Sequence, residues 1–433
     1  MIVPILGLWH VPTLVLVVRQ EAPLSLDDAL QLAEKNAFGV KMSDAAVEKA
    51  RQKAVEARGS LGPKVTLDAT YTRFDKAQTS NFGGQSVVIR PIDSKDAKLT
   101  LSMPLDLAGV TGKAAKAASL NIQVAEANRA AVRNDMRQAV KRAFFAVLQA
   151  QESLKVTEEG VQRAVERLAN AKKELEAGSR ARVDIVRLET ALAQAEADRI
   201  ASLNGLSLAK SAFNNALGRP IETEFELKPQ PIWKPTEMTD AELTAIAGEQ
   251  RPDLKALRLQ RGVLAYVRQA EERGGVPSLN FSAVHSRSFG NGGFGSSTAS
   301  TTGTFALSIP IFDSGITRSR VKAARQDEQT VALQLEQATL AVSLEVRQAV
   351  ATLRNADARI KVAEQQVALA QETYRLTSIK FEAGEGIPLE VADAGTQLTQ
   401  AKTQLVNARY DYLRAIADLE RAIGRDLTPE GTR

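Results

Sequence analysis

The chain has 433 residues, a net charge of +5 and only 5% aromatic side chains, against 25% charged ones. Having no cysteine and only two histidines, it excludes disulfides, thiolate catalysis, zinc-thiolate sites and N-terminal cysteine lipidation, and it disfavours a histidine-rich metal site. Lys and Arg are interleaved with Asp and Glu, which describes solvated helix faces rather than a nucleic-acid patch, and the Ala/Leu/Val/Gln/Glu-rich stretches describe long helices packed in thin layers.

Residues 1–23 read as a signal or leader segment. Ile2 to Val18 is largely apolar and stops at Arg19, a length that suits a signal core better than a membrane span. No Lys or Arg precedes it and no Ala-x-Ala follows it. No later run reaches the 18 apolar residues expected of a transmembrane helix.

From residue 26 to 59 apolar positions recur at helical spacing (Leu26, Ala29, Leu30, Ala33, Val40, Val47, Ala54), predicting one helix that Gly59, Gly62 and Pro63 end. The period then changes to two. Val65, Leu67, Ala69 and Tyr71 alternate with Thr66, Asp68, Thr70 and Thr72; after a polar loop over 75–95, Leu99, Leu101 and Met103 alternate with Lys98, Thr100 and Ser102. A second pair of alternating segments carries Leu279, Phe281 and Ala283, then Phe305, Leu307, Ile309 and Ile311, around a loop over 290–303. These segments are nine or ten residues long, enough to cross a bilayer at a tilt, and their polar faces are small hydroxyls and amides suited to a wet lumen. Four such strands cannot close on themselves, whereas twelve from three chains can.

Each hairpin is followed by a long helical stretch (about 113–177 and 316–383) and a shorter returning one (about 181–217 and 387–423). Together with the helices before the strands (about 27–58 and 240–273), the spacing predicts one long helix beside two shorter ones stacked end to end. The two halves align without a gap at an offset of 206 over 174–222 and 380–428, so that Gly178 falls on Gly384, Pro104 on Pro310 and Gly109 on Gly315. A repeat of about 200 residues is too long for a solenoid unit and describes two copies of one module. The domain reading is a first repeat at 24–218 with its hairpin at 65–105, a linker at 219–238, and a second repeat at 239–428 with its hairpin at 279–311. Trp233 in the Pro-rich linker reads as a packing anchor.

The duplicated order of MPLDLAG (103–109) and IPIFDSG (309–315), EAGSRARVDIV (176–186) and FEAGEGIPLEVADA (381–394), LGRP (217–220) and IGRD (423–426) resembles the TolC-like outer-membrane factor family over 24–428. The resemblance implies a mixed fold: a long α-helical barrel with a small transmembrane β-barrel, four strands per chain and twelve in a homotrimer. It implies an outer-membrane location with a periplasmic extension, and an exit duct of a tripartite efflux pump or type I secretion system. The implied partners are outer-membrane lipid, a periplasmic adaptor and an inner-membrane pump, with no cofactor and no nucleic acid. At the tip, Gly178 and Gly384 end the long helices and Pro388 starts the last one. Glu390 and Asp393 match positions lining the entrance constriction, and three-fold symmetry would turn them into acidic rings. Gly178, Gly384, Phe381, Asp184, Arg180 and Arg182 are candidates for tip gating or adaptor contact; Gly386 stands where a gating Arg is expected, which leaves Arg180 and Arg182 as substitutes. The other readings are a soluble or periplasmic coiled-coil scaffold and an enzyme; for the last, the chain has no G-x-S-x-G, P-loop or metal-ligand cluster.

Overall fold

A computed structural model describes residues 23–229, 233, 238–289, 299–383 and 385–427. All but the last residue of the leader reading at 1–23, and most of the loop at 290–303, therefore lie outside the described residues. In chain order the elements are α1 (Leu26–Asn36), α2 (Phe38–Gly59), β1 (Lys64–Arg73), β2 (Gln78–Phe82), β3 (Gln85–Arg90), β4 (Asp93–Leu105), α3 (Val110–Glu176), α4 (Arg182–Ala216), α5 (Asp240–Gln250), α6 (Pro252–Glu271), β5 (Ser278–Ser288), β6 (Ala299–Ser308), α7 (Ile316–Glu382) and α8 (Pro388–Ile423). No described helix is long and apolar enough to cross a membrane.

The long helices α3 and α7 have 67 residues each, roughly 100 Å at 1.5 Å per residue. Each is launched the same way. An Asp carboxylate accepts backbone N–H groups of the first turn, Asp106 from Gly112 (2.7 Å) and Asp313 from Thr317 (2.8 Å). These are donors no intrahelical carbonyl can reach. Along α3, α4 packs on one stretch, α2 and α6 flank another, and α8 lies against it; α7 packs against α8, α6 and α5.

The single helix expected over 26–59 is two. It breaks at Ala37, whose ψ of 127° is extended. The helix expected over 240–273 likewise breaks at Arg251, before Pro252. At the second joint Pro252 biases Arg251 out of the helical region, and at both joints the end of the returning helix packs against the break. A methyl group added at Gly218, just past α4, would lie 2.6 Å from the Asn36 carbonyl oxygen, and one at Gly424, just past α8, would lie 3.2 Å from the Arg251 Cα. Each returning helix thus ends against the joint, α4 at that between α1 and α2 and α8 at that between α5 and α6.

The first helix of each half packs into a core of its own, α5 placing Leu243 and Ala247 against Val346 of α7 and Leu419 and Ile423 of α8, and α1 joining a larger cluster. Ala29, Leu30 and Ala33 of α1 join Val140, Phe144, Phe145 and Val147 of α3, Phe213 of α4 and Tyr412, Leu413 and Ile416 of α8. Phe144 packs edge-on against Phe213 at 5.9 Å. Fully burying a side chain such as Phe144, Phe213 or Leu413 contributes about 1.5–3 kcal/mol. The segment between the halves is laced on: Leu24 donates to Glu226 and Lys228 donates back to Leu24, and Trp233 packs against this core.

The strands form one four-stranded antiparallel sheet in the order β1-β4-β5-β6. The loop expected over 75–95 is instead a second hairpin, β2–β3, turned at Gly83-Gly84, and β4 begins at Asp93. Register sorts the main sheet into two faces. One carries rungs Leu105/Leu279/Leu307, Met103/Phe281/Phe305, Val65/Leu101/Ala283/Gly303 and Leu67/Leu99/His285/Thr301; the other carries Lys64/Ser102/Ser282/Thr304 and Thr66/Thr100/Val284/Thr302. The apolar face is bare: Leu67 is 71% and Phe305 70% exposed. Strands β1 and β6 are open edges of the sheet.

Candidate functional site at the tip of the helical rod

Far from the sheet, the rod ends in two helix–turn–helix tips, α3–α4 and α7–α8. The first turn follows from one residue. Gly178 has φ of +76°, a conformation that strains any side chain. It lets Ser179 N–H reach the Glu174 carbonyl and Gly178 N–H reach Leu175, both at 3.0 Å, closing the end of α3. At the second tip Glu385 N–H donates to the Lys380 carbonyl at 3.0 Å in the same pattern; Gly384 itself lies outside the described residues. Leu168, Ala171, Ile185 and Leu188 zip the first tip together. Val391, Ala394 and Leu398 are the buried stripe of the second.

Arg180 joins the two tips. Its guanidinium is held by the Glu174 carboxylate of its own hairpin (Nε to Oε2, 2.5 Å) and lies 4.2 Å from the centre of the Phe381 ring on the other hairpin. The side chain is only 11% exposed. Two of the sequence candidates, Arg180 and Phe381, are therefore in contact. Asp184 sits in the first turn of α4 with Arg187 at 3.9 Å, and Arg182 opens that helix on its exposed side. Gly386 is pressed onto the chain: a methyl there would lie 3.0 Å from the Phe381 nitrogen, so no side chain at 386 fits without moving the turn.

Glu390 and Asp393 are exposed and share a face of the first turns of α8. Glu390 N–H bonds the Ile387 carbonyl at 3.1 Å. Asp393 borders a groove of about 470 Å³ between α3, α4 and α8, into which Arg163, Arg167 and Arg187 also reach.

Periodicity did not single out the row on α3 that seats α8. Glu159, Arg163 and Arg167 recur every four residues. Glu159 takes Lys402 at 2.6 Å, Arg163 donates to Thr399 at 2.8 Å, and Arg167 donates to the Val391 carbonyl and the Tyr374 hydroxyl, both at 3.2 Å. Glu159 is held below the usual carboxylate range, chiefly by the Lys402 hydrogen bond. Gly395 leaves room for the Arg167 guanidinium, which a side chain there would push aside. The available signal was a glycine inside a helix facing a basic i, i+4 pair.

Nothing in this geometry is a catalytic constellation; it is a set of contacts between helix ends. Comparison with known proteins gives the same class. The chain is 25% identical to the protein CyaE of Bordetella pertussis over 88% of this chain and 79% of that one. It is 25% identical to the outer membrane protein TolC of Vibrio cholerae over 69% of this chain and 70% of that one. The fold matches the crystal structure of the Campylobacter jejuni CmeC outer membrane channel with a TM-score of 0.77 and 18% identity, covering 92% of this chain and 85% of that one. The family model described as outer membrane efflux protein matches residues 29–219 and 243–425, and the chain belongs to that family.

Proposed function

We propose that this chain, an exit duct of an efflux or type I secretion system in the Gram-negative outer membrane, works as a homotrimer. Three copies of the sheet close one twelve-stranded barrel, and three sets of long helices form a tunnel reaching into the periplasm. One observation carries the reading: a sheet with one bare apolar face, one hydroxyl-lined face and two open edges is mounted on a rod roughly 100 Å long. In lipid, open edges leave backbone groups unpaired, and only closure satisfies them. The exposed area agrees. One chain exposes 27580 Å², whereas a compact monomer of its mass exposes about 16,000 Å². A soluble scaffold has no use for the apolar face.

At the periplasmic entrance, Glu390 and Asp393 supply rings of three carboxylates each, which favour cations. Arg180, held by Glu174 and stacked on Phe381, ties the α3–α4 tip to the α7–α8 tip and keeps the entrance narrow. Arg182, Asp184, Gly178 and Gly384 belong to the surface offered to a periplasmic adaptor, which couples the duct to an inner-membrane pump. The test is the mass of the purified particle in mild detergent. Three times the chain mass of 46.7 kDa supports the reading; a stable folded monomer contradicts it.

A further inference from the structure

The apolar face of the sheet does not end alike at its two rims. At the helix-side rim, Leu105, Leu279 and Leu307 share the last rung. At the far rim the same face turns basic and aromatic. Arg287 pairs with Ala97, Lys95 with Tyr71, and Arg73 with Asp93, while Phe289 N–H continues the ladder to the Lys95 carbonyl at 2.7 Å. Strand alternation therefore puts Arg73, Lys95, Arg287, Tyr71 and Phe289 on the side of Leu67 and Phe305. All five are exposed. The Arg287 guanidinium lies 5.1 Å from the Phe289 ring centre. Asp93, the one acid among them, accepts from the Tyr71 hydroxyl at 2.7 Å and lies 3.9 Å from Arg73.

From Leu105 to Ala97 the face runs eight residues, roughly 27 Å along the strand at 3.4 Å per residue, or about 19–22 Å of height at a barrel tilt of about 35–45°, which is most of an outer-membrane apolar band of about 25 Å. The cations thus sit where hydrocarbon gives way to head groups, with Tyr71 and Phe289 as the aromatic girdle beside them.

We infer that this rim is a binding site for the phosphorylated glycolipid of the outer leaflet, whose phosphates would meet Arg73, Lys95 and Arg287. The inference rests on the lipid-facing reading of the apolar face. Arg supplies a planar fork that matches phosphate oxygens, and Lys supplies a point charge. The helix-side end of the face closes differently, on the rung Leu105/Leu279/Leu307, with Leu107, Ile309 and Ile311 just past the strands all more than half exposed.

The test is native mass spectrometry of the detergent-purified protein titrated with bis-phosphorylated lipid A, with dephosphorylated lipid A and phosphatidylethanolamine as controls. The intact protein should retain bis-phosphorylated lipid A at least tenfold better than either control. The triple variant Arg73→Gln, Lys95→Gln, Arg287→Gln should lose that preference while keeping its oligomeric mass. Equal retention by the variant, or equal retention of all three lipids, overturns the site. A preparation that is monomeric and needs no detergent fails the barrel reading itself; an intact oligomer indifferent to lipid phosphate fails only this inference. If the triple variant does not assemble, Arg287→Gln alone should lower the preference several-fold, and an unchanged preference in it counts against the site.

Discussion

Arg180→Ala should release the tunnel entrance. The contact that spans the two tips is the stacking of Arg180 on Phe381 at 4.2 Å; the ion pair with Glu174 lies within one hairpin and orients the guanidinium. At 11% exposure of Arg180 the stacking is largely desolvated, placing it near the upper part of the range for such contacts, about 1–2 kcal/mol per copy. In the proposed trimer three symmetric copies would give about 3–6 kcal/mol, and at 1.4 kcal/mol per decade this shifts the closed-to-open ratio by roughly 10²–10⁴. Planar-bilayer recording of single channels reads this directly. Arg180→Ala and Phe381→Leu should each raise the open fraction by the same amount, and the double variant should add little, since both remove one contact. Glu174→Gln should have a smaller effect of the same sign. An open fraction unchanged in both single variants would refute the strap.

Glu390→Ala with Asp393→Ala should reduce cation preference in bilayer recordings and weaken block by multivalent cations; unchanged selectivity would show these carboxylates to be merely solvated. Folding should change little, since an exposed acid at a helix start contributes only about 0.3–1 kcal/mol. Lys141→Met should destabilise the middle of the rod by about 3–5 kcal/mol near pH 8, because Lys141 and Glu420 are both 7% exposed and bonded at 2.6 Å. Burial, then the Asp426 hydrogen bond, pushes Glu420 from 4.5 up to about 7. A raised carboxyl favours the folded state at low pH and loses that advantage as pH rises through this window. Melting temperatures followed from pH 5 to 8 should therefore fall more steeply in the variant than in the parent, and parallel curves would contradict the assignment. Tags inserted in the β2–β3 turn at Gly83 should be reached by antibody on intact cells and tags at Gly178 should not; the reverse labelling would invert the topology.

Much of this architecture was legible because its signals are local. Period-two alternation marked β1 and β4 to β6, and the Gly residues at 109, 178, 218, 315 and 424 that bound the helices all have positive φ. What escaped depends on distant partners. At Ala37 only Asn36 and Gly39 hint at a break, and the turn at Gly218, from the other end of the repeat, packs against it. The β2–β3 hairpin did carry a signal in Gly83-Gly84, hidden by the shortness of its strands and the polar run of β2. Lys141 and Glu420 look like ordinary solvated charges until α3 and α8 bury them together. At the tip, the sequence placed Arg180 and Phe381 in one neighbourhood, but the row Glu159, Arg163, Arg167 became visible only once α8 was laid against α3.

Closure of the barrel by three copies can be measured at the open edges. The chain has no cysteine, so introduced pairs report without background. Single cysteines along β1 (Thr66, Asp68, Thr70) combined with single cysteines along β6 (Ser300, Thr302, Thr304) make a grid that samples the unknown register between neighbouring copies. Oxidised in membranes and run under denaturing, non-reducing conditions, at least one pair should give a ladder of monomer, dimer and trimer that stops at trimer. Absence of any cross-linked product across the grid, or a ladder continuing past trimer, would contradict a closed three-chain barrel.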